Sequence, residues 1–176
     1  MNVYYDSGVL MPLYFAEVFT GAICGFVLDR GEPIPLNLFQ RLELENAIRQ
    51  KVFRRDIDAE QQGRLLSDVE ADLERGRLVL RPVNWIAALD HARQIGARVT
   101  AKTGCRTLDL IHVAIALQWG CSLFVTADDR QLAAAKLQGL ETVDLRALYR
   151  GRPVHPGEAK ERRAPSGAKK AKDAKR

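Results

Sequence analysis

From Leu123 to Thr126 the chain reads Leu-Phe-Val-Thr, almost purely apolar at successive positions, and then breaks at Ala127-Asp128-Asp129. A strand with one wet face alternates polar and apolar residues. A short strand without that alternation is covered on both faces, as in parallel sheets sandwiched between helices. Asn2–Tyr5, Ile34–Leu38, Leu78–Arg81 and Glu141–Asp144 are further short stretches rich in β-formers, and segments of helical periodicity separate them. This order predicts an α/β fold: a single domain with a central, mainly parallel sheet flanked by helices. In such sheets ligands bind at the carboxyl ends of the strands.

The helical segments differ in character. Gln40–Arg54 places Leu44, Ala47, Ile48 and Val52 at three- and four-residue intervals, and Ala59–Arg75 does the same with Leu65, Leu66, Val69 and Leu73 before Gly76. The two read as a helical hairpin near 40–75. Leu13–Leu28 reads as one buried helix after a loop. Asn84 opens a helix whose stripe is Trp85, Ala88, Ala92 and Ile95. A companion begins near Arg106-Thr107 and runs to Trp119; Leu132–Leu137 and Leu145–Arg150 complete the set.

Hydrophobic residues at 47% suffice for one packed interior. The apolar run from Val9 to Leu28 carries Pro12, Glu17 and Thr20 and has no basic segment before it, so neither a membrane span nor a signal peptide is expected. Cys24, Cys105 and Cys121 are odd in number and widely spaced, which fits a reducing cytoplasm and no disulfide framework. The net charge of +5 is unevenly placed. From Gly151 onward nine Lys or Arg face three Asp or Glu, while residues 1–150 hold 18 basic and 19 acidic side chains. The organisation expected is one domain over 1–148 and a basic, disordered tail over 149–176 with little to bury.

Chemistry concentrates in carboxylates. Asp6 and Asp128 close two strands, and Asp109 lies among Leu108, Leu110 and Ile111 near a helix start, where an uncompensated carboxylate is costly. Glu43 sits beside the apolar face of its helix. If the four meet above the sheet, their repulsion calls for a divalent cation, and a set of hard oxygens without His or Cys suits Mg²⁺ or Mn²⁺ rather than zinc. Each also has a local reading. Asp6 can end a strand, Asp128 can cap the next helix, and Asp109 can bond amides in a first helical turn. Glu45 competes with Glu43, but the two project about 200° apart, so only one can face the site. Arg106 and Arg130 can contact phosphate or simply be surface arginines, and His112 reads as a packing residue.

Together, Asp6-Ser7-Gly8 after a first strand, Glu43 with Ala47, Arg106-Thr107-Leu108-Asp109 before Ile111-His112-Val113-Ala114, and Phe124-Val125-Thr126-Ala127-Asp128 resemble PIN domains. In particular they resemble the toxins of VapBC-type toxin–antitoxin pairs, over residues 1–148. The resemblance implies a Mg²⁺- or Mn²⁺-dependent endoribonuclease whose acidic set is Asp6, Glu43, Asp109 and Asp128, with Ser7 and Thr126 supporting it. It is also what selects Glu43 over Glu45. It further implies an RNA substrate, a cognate antitoxin seated in the active-site groove, and a homodimer. Gly8 departs from the pattern, which commonly has a small hydroxyl residue or Ala there.

Two other functions compete. A non-catalytic RNA-binding protein would keep the fold without turnover, and none of the acidic residues it would tend to lose is missing. A Mg²⁺-dependent phosphatase or receiver-like protein would need an Asp nucleophile and a Lys at a later strand end, and the strand ends offer no such Lys.

Overall fold

The computed structural model of the chain describes residues 2–150, and it is an α/β structure. Its strands are β1 (Val3–Tyr5), β2 (Ile34–Leu36), β3 (Leu78–Leu80), β4 (Leu123–Thr126) and β5 (Glu141–Asp144). The helices are α1 (Ser7–Tyr14), α2 (Thr20–Arg30), α3 (Leu38–Phe53), α4 (Ala59–Glu74), α5 (Trp85–Thr103), α6 (Thr107–Gln118), α7 (Asp129–Leu137) and α8 (Leu145–Arg150). The expected domain limit at 148 falls inside α8, where Tyr149 packs edge-on against Phe19 with ring centroids 5.8 Å apart. The rest of the expected tail lies outside the described residues.

All strand pairing among the described residues is parallel, but it forms two groups rather than one central sheet: β1-β4-β5 and β2-β3. Proline explains the division. Ile34 N–H and Leu36 C=O bond toward β3, so the Pro35 nitrogen faces the opposite side, toward β1, and has no hydrogen to donate. On β1, Asp6 N–H bonds to Val125 on β4, which turns the Tyr5 carbonyl away from β4. The side-chain amide of buried Gln40 donates to that carbonyl where a strand would otherwise pair. Gln40 is fixed in turn by Asn37, which caps α3 in a reciprocal capping box.

Side chains alternate across β1 and β4 to build two cores. Tyr4 and Phe124, stacked at 5.3 Å, face α5, α6 and α7, while Val3, Tyr5 and Val125 face α1, α2, α3, α4 and α8. The α3–α4 pair forms the anticipated hairpin.

Three local expectations change. The segment Leu13–Leu28 is two helices, not one: α1 begins already at Ser7, Pro12 removes the bond to the Gly8 carbonyl, and α1 ends at Tyr14. Thr20 then stabilises the break, accepting from Glu17 N–H and donating to the Pro12 carbonyl, each at 2.9 Å. Trp85 leaves the buried stripe of α5, which is Ala88, Ala92, Ile95 and Val99 instead. And α7 starts at Asp129, three residues before the expected Leu132, because Asp128 caps it. No helix among the described residues is long and apolar enough to cross a membrane.

Candidate functional site

The carboxyl ends of β1 and β4 lie side by side and feed directly into α1 and α7. Asp6 is the last residue before α1 and Asp128 the last before α7. Asp109 occupies the first turn of α6, and Glu43 the second turn of α3. Three helix N-termini therefore open toward the acidic set, a field that favours anions there.

Asp6 is the centre of the arrangement and is 8% exposed. Its Oδ2 accepts from Thr126 Oγ1 at 3.2 Å, and its Oδ1 accepts from the Gln131 side-chain amide at 3.2 Å. The same Gln131 nitrogen lies 3.2 Å from Asp109 Oδ1, so one amide bridges two carboxylates. Asp109 Oδ2 accepts from Arg106 N–H at 2.8 Å. Its first-turn capping and its place in the cluster thus coexist.

A second bridge is His112. Its Nε2 is 3.0 Å from Glu43 Oε2 and 3.5 Å from Asp6 Oδ1, and its Nδ1 is 2.8 Å from the Tyr4 hydroxyl. With two carboxylate oxygens at Nε2, that nitrogen carries a proton in either charge state of the ring. Ser7 Oγ donates to Glu43 Oε2 at 2.6 Å. Glu45 points elsewhere, paired with Arg41 at 2.7 Å and Arg49 at 3.0 Å.

Asp128 is joined only indirectly. Its N–H donates to Thr126 Oγ1 at 3.1 Å, but its carboxylate caps α7, accepting from the amides of Arg130 at 2.7 Å and Gln131 at 3.1 Å. Its charge still reaches the site's edge. Burial, followed by the charges of Asp109 and Asp128, pushes the Cys105 thiol up to about 11. The structure thus links Asp6, Glu43 and Asp109 through side chains, with Ser7 and Thr126 in contact, and leaves Asp128 as a helix cap at the rim.

Burial pushes the Asp6 carboxyl above its ordinary range, and the Glu43 charge adds to this against His112, Gln131 and Thr126. For His112 burial acts to lower the pKa. The hydrogen bond to Glu43 and the charges of Asp6, Glu43 and Asp109 outweigh it, and the imidazole is raised. Both groups thus shift toward holding a proton, Asp6 mainly through burial and His112 through its carboxylate neighbours.

Among the described residues no three carboxylate, imidazole or thiol groups form a ready ligand cage. The donor chemistry nonetheless suits a hard divalent cation. The N–H groups of Gln131 and His112 meet oxygens of Asp6, Asp109 and Glu43, and Gln131 Oε1 is buried with no hydrogen-bond partner. Gly8 supplies room, since a Cβ at that position would lie 3.1 Å from Asp6 Oδ2.

His112 and Gln131 escaped the reading of the sequence as site residues. The signal was their spacing: each follows an acidic residue, Asp109 or Asp128, by three positions and so shares its helix face. No family model matches the chain, and no curated protein matches it.

Proposed function

We propose that this chain is a divalent-metal-dependent endoribonuclease of the PIN-domain kind, the toxin of a toxin–antitoxin pair acting in the cytoplasm. The observation that carries the reading is the convergence of Asp6, Glu43 and Asp109 through Gln131 and His112 at the carboxyl ends of two parallel strands. Asp6, Glu43 and Asp109, with Asp128 at the rim, would hold Mg²⁺ or Mn²⁺. The bound ion supplies a Lewis acid that polarises a phosphate and acidifies a water.

The chain's own residues do the rest. Thr126 and Gln131 orient the Asp6 carboxylate, Ser7 orients Glu43, and Tyr4 fixes the His112 ring through Nδ1. Arg106 and Arg130, at the starts of α6 and α7, stand at the rim where an RNA phosphate would enter. A protein partner, whether antitoxin or second copy, is supported by exposed apolar side chains near this rim. Leu38 and Leu42 on α3 and Trp85, Ile86 and Leu89 on α5 are all exposed, and Phe39 links the two groups, 6.2 Å from Trp85 and 5.1 Å from His112 by ring centroids.

The test is cleavage of total RNA by wild-type protein and Asp6→Asn, each with Mg²⁺, with Mn²⁺ and with EDTA. Metal-dependent cuts that fall roughly a hundredfold or more in Asp6→Asn are expected. RNA binding without cleavage in any condition would instead support a non-catalytic RNA-binding protein.

A further inference from the structure

Gln131 makes more contacts with the acidic set than any of the four carboxylates makes with another. Its backbone N–H caps onto Asp128, and its side-chain nitrogen lies 3.2 Å from both Asp6 Oδ1 and Asp109 Oδ1. The residue is 4% exposed, and its Oε1 is buried without a partner. A glutamine placed only for packing would orient its amide so that both ends were satisfied. Here one end is left bare while the other meets two anions, so the carboxylates dictate the orientation. Turning the amide over would set a carbonyl oxygen against both of them.

We propose that Gln131 is the internal stand-in for the divalent cation: its NH₂ holds Asp6 and Asp109 together in the metal-free protein and is displaced from those oxygens when the ion binds. This rests on the metal reading of the site given above. The amide's positive end occupies the Oδ1 oxygens that the ion would take, so the two compete. Gln131 thereby stabilises the metal-free fold and weakens metal affinity. It is a positioning residue, and it would set how much free Mg²⁺ or Mn²⁺ is needed to arm the site.

The experiment is thermal unfolding of the full chain, with calorimetric titration by Mn²⁺, for wild type, Gln131→Leu and Gln131→Met. In EDTA both variants should melt below wild type, because two carboxylates lose their shared donor. With saturating Mn²⁺ both should gain more than wild type gains, and the Mn²⁺ Kd of Gln131→Leu should tighten roughly tenfold, as removal of two competing charge-assisted hydrogen bonds implies. Gln131→Met keeps the length without adding a charge or a hard oxygen ligand, and decides the matter if the leucine variant does not fold. Equal Mn²⁺-induced gains in wild type and variants would overturn the proposal while leaving the metal site standing. Wild-type protein that takes up no Mn²⁺ at all would overturn the metal reading, and the proposal with it.

Discussion

His112 Nε2 lies 3.0 Å from Glu43 Oε2, a contact that ties α6 to α3 across the ends of the strands. Both partners of the ring are buried or half-buried, and Tyr4, on the other nitrogen, is fully buried. In His112→Leu the Tyr4 hydroxyl loses its bond to the imidazole, and Asp6 and Glu43 face each other without a donor between them. A loss of about 2–4 kcal/mol in urea unfolding is expected. His112→Gln, which keeps a donor, should lose less. A leucine variant as stable as wild type would mean that the network contributes packing alone.

Asp109 commits one oxygen to the Arg106 amide and the other to Gln131. Asparagine preserves the shape and an acceptor while removing the charge. Asp109→Asn should therefore lower metal-dependent RNA cleavage roughly a hundredfold or more. Its melting temperature in EDTA should stay level or rise, since one repelling charge is gone. Cleavage at the wild-type rate under limiting Mg²⁺ would remove Asp109 from the site.

The succession of strands and helices along the chain, the helical hairpin and the carboxylates at strand ends were legible because each is written in a short window. Leu123 to Thr126 is apolar at successive positions, and Leu44 and Ile48 recur at helical spacing. The divided sheet was not legible. It depends on which side of β2 the Pro35 nitrogen faces, a matter of register set by β3 far along the chain. Trp85 carried the right period for the α5 stripe but sits at the helix's first turn, past the edge of the core it was expected to fill. The three-residue spacing sets His112 and Gln131 near Asp109 and Asp128, but their bridging roles depend on contacts with Glu43 and Asp6, 69 and 125 residues away in sequence, which that spacing does not encode.

Arg146 donates to both oxygens of Asp144, at 2.9 and 3.0 Å, and also to Asp129, joining the end of β5 to the start of α7. These hydrogen bonds hold the Asp144 and Asp129 carboxyls below their ordinary range. A depressed carboxyl contributes stability above its unfolded value, about 3.9, and loses it as pH falls through the folded value. Wild-type melting temperature should therefore drop more steeply than that of Arg146→Met as pH is lowered from about 5 to about 3. The difference should shrink in high salt, because Asp129 is exposed and the Arg146–Asp144 pair only half-buried. Parallel curves for the two proteins would mean that solvent already screens the fork.

Gly8 occupies the second position of α1, where alanine ordinarily favours a helix by about 0.5–1 kcal/mol. A Cβ there would stand 3.1 Å from Asp6 Oδ2, the oxygen that accepts from Thr126 Oγ1. The carboxylate must give by a few tenths of an ångström, while its other oxygen is held by Gln131. Gly8→Ala should thus leave the metal-free protein as stable as wild type or slightly more so, and yet weaken Mn²⁺ binding roughly tenfold, because a displaced ligand no longer meets the geometry the ion demands. Gly63→Ala is the control: its Cβ would meet nothing within 4 Å, so α4 gains the same propensity with no effect on the metal. Calorimetric titration with Mn²⁺ alongside thermal unfolding in EDTA separates the two quantities. If both variants bind Mn²⁺ as tightly as wild type, the bare α-carbon at Gly8 is a feature of the helix alone; if only Gly8→Ala weakens binding, the absent side chain keeps Asp6 free to serve the ion.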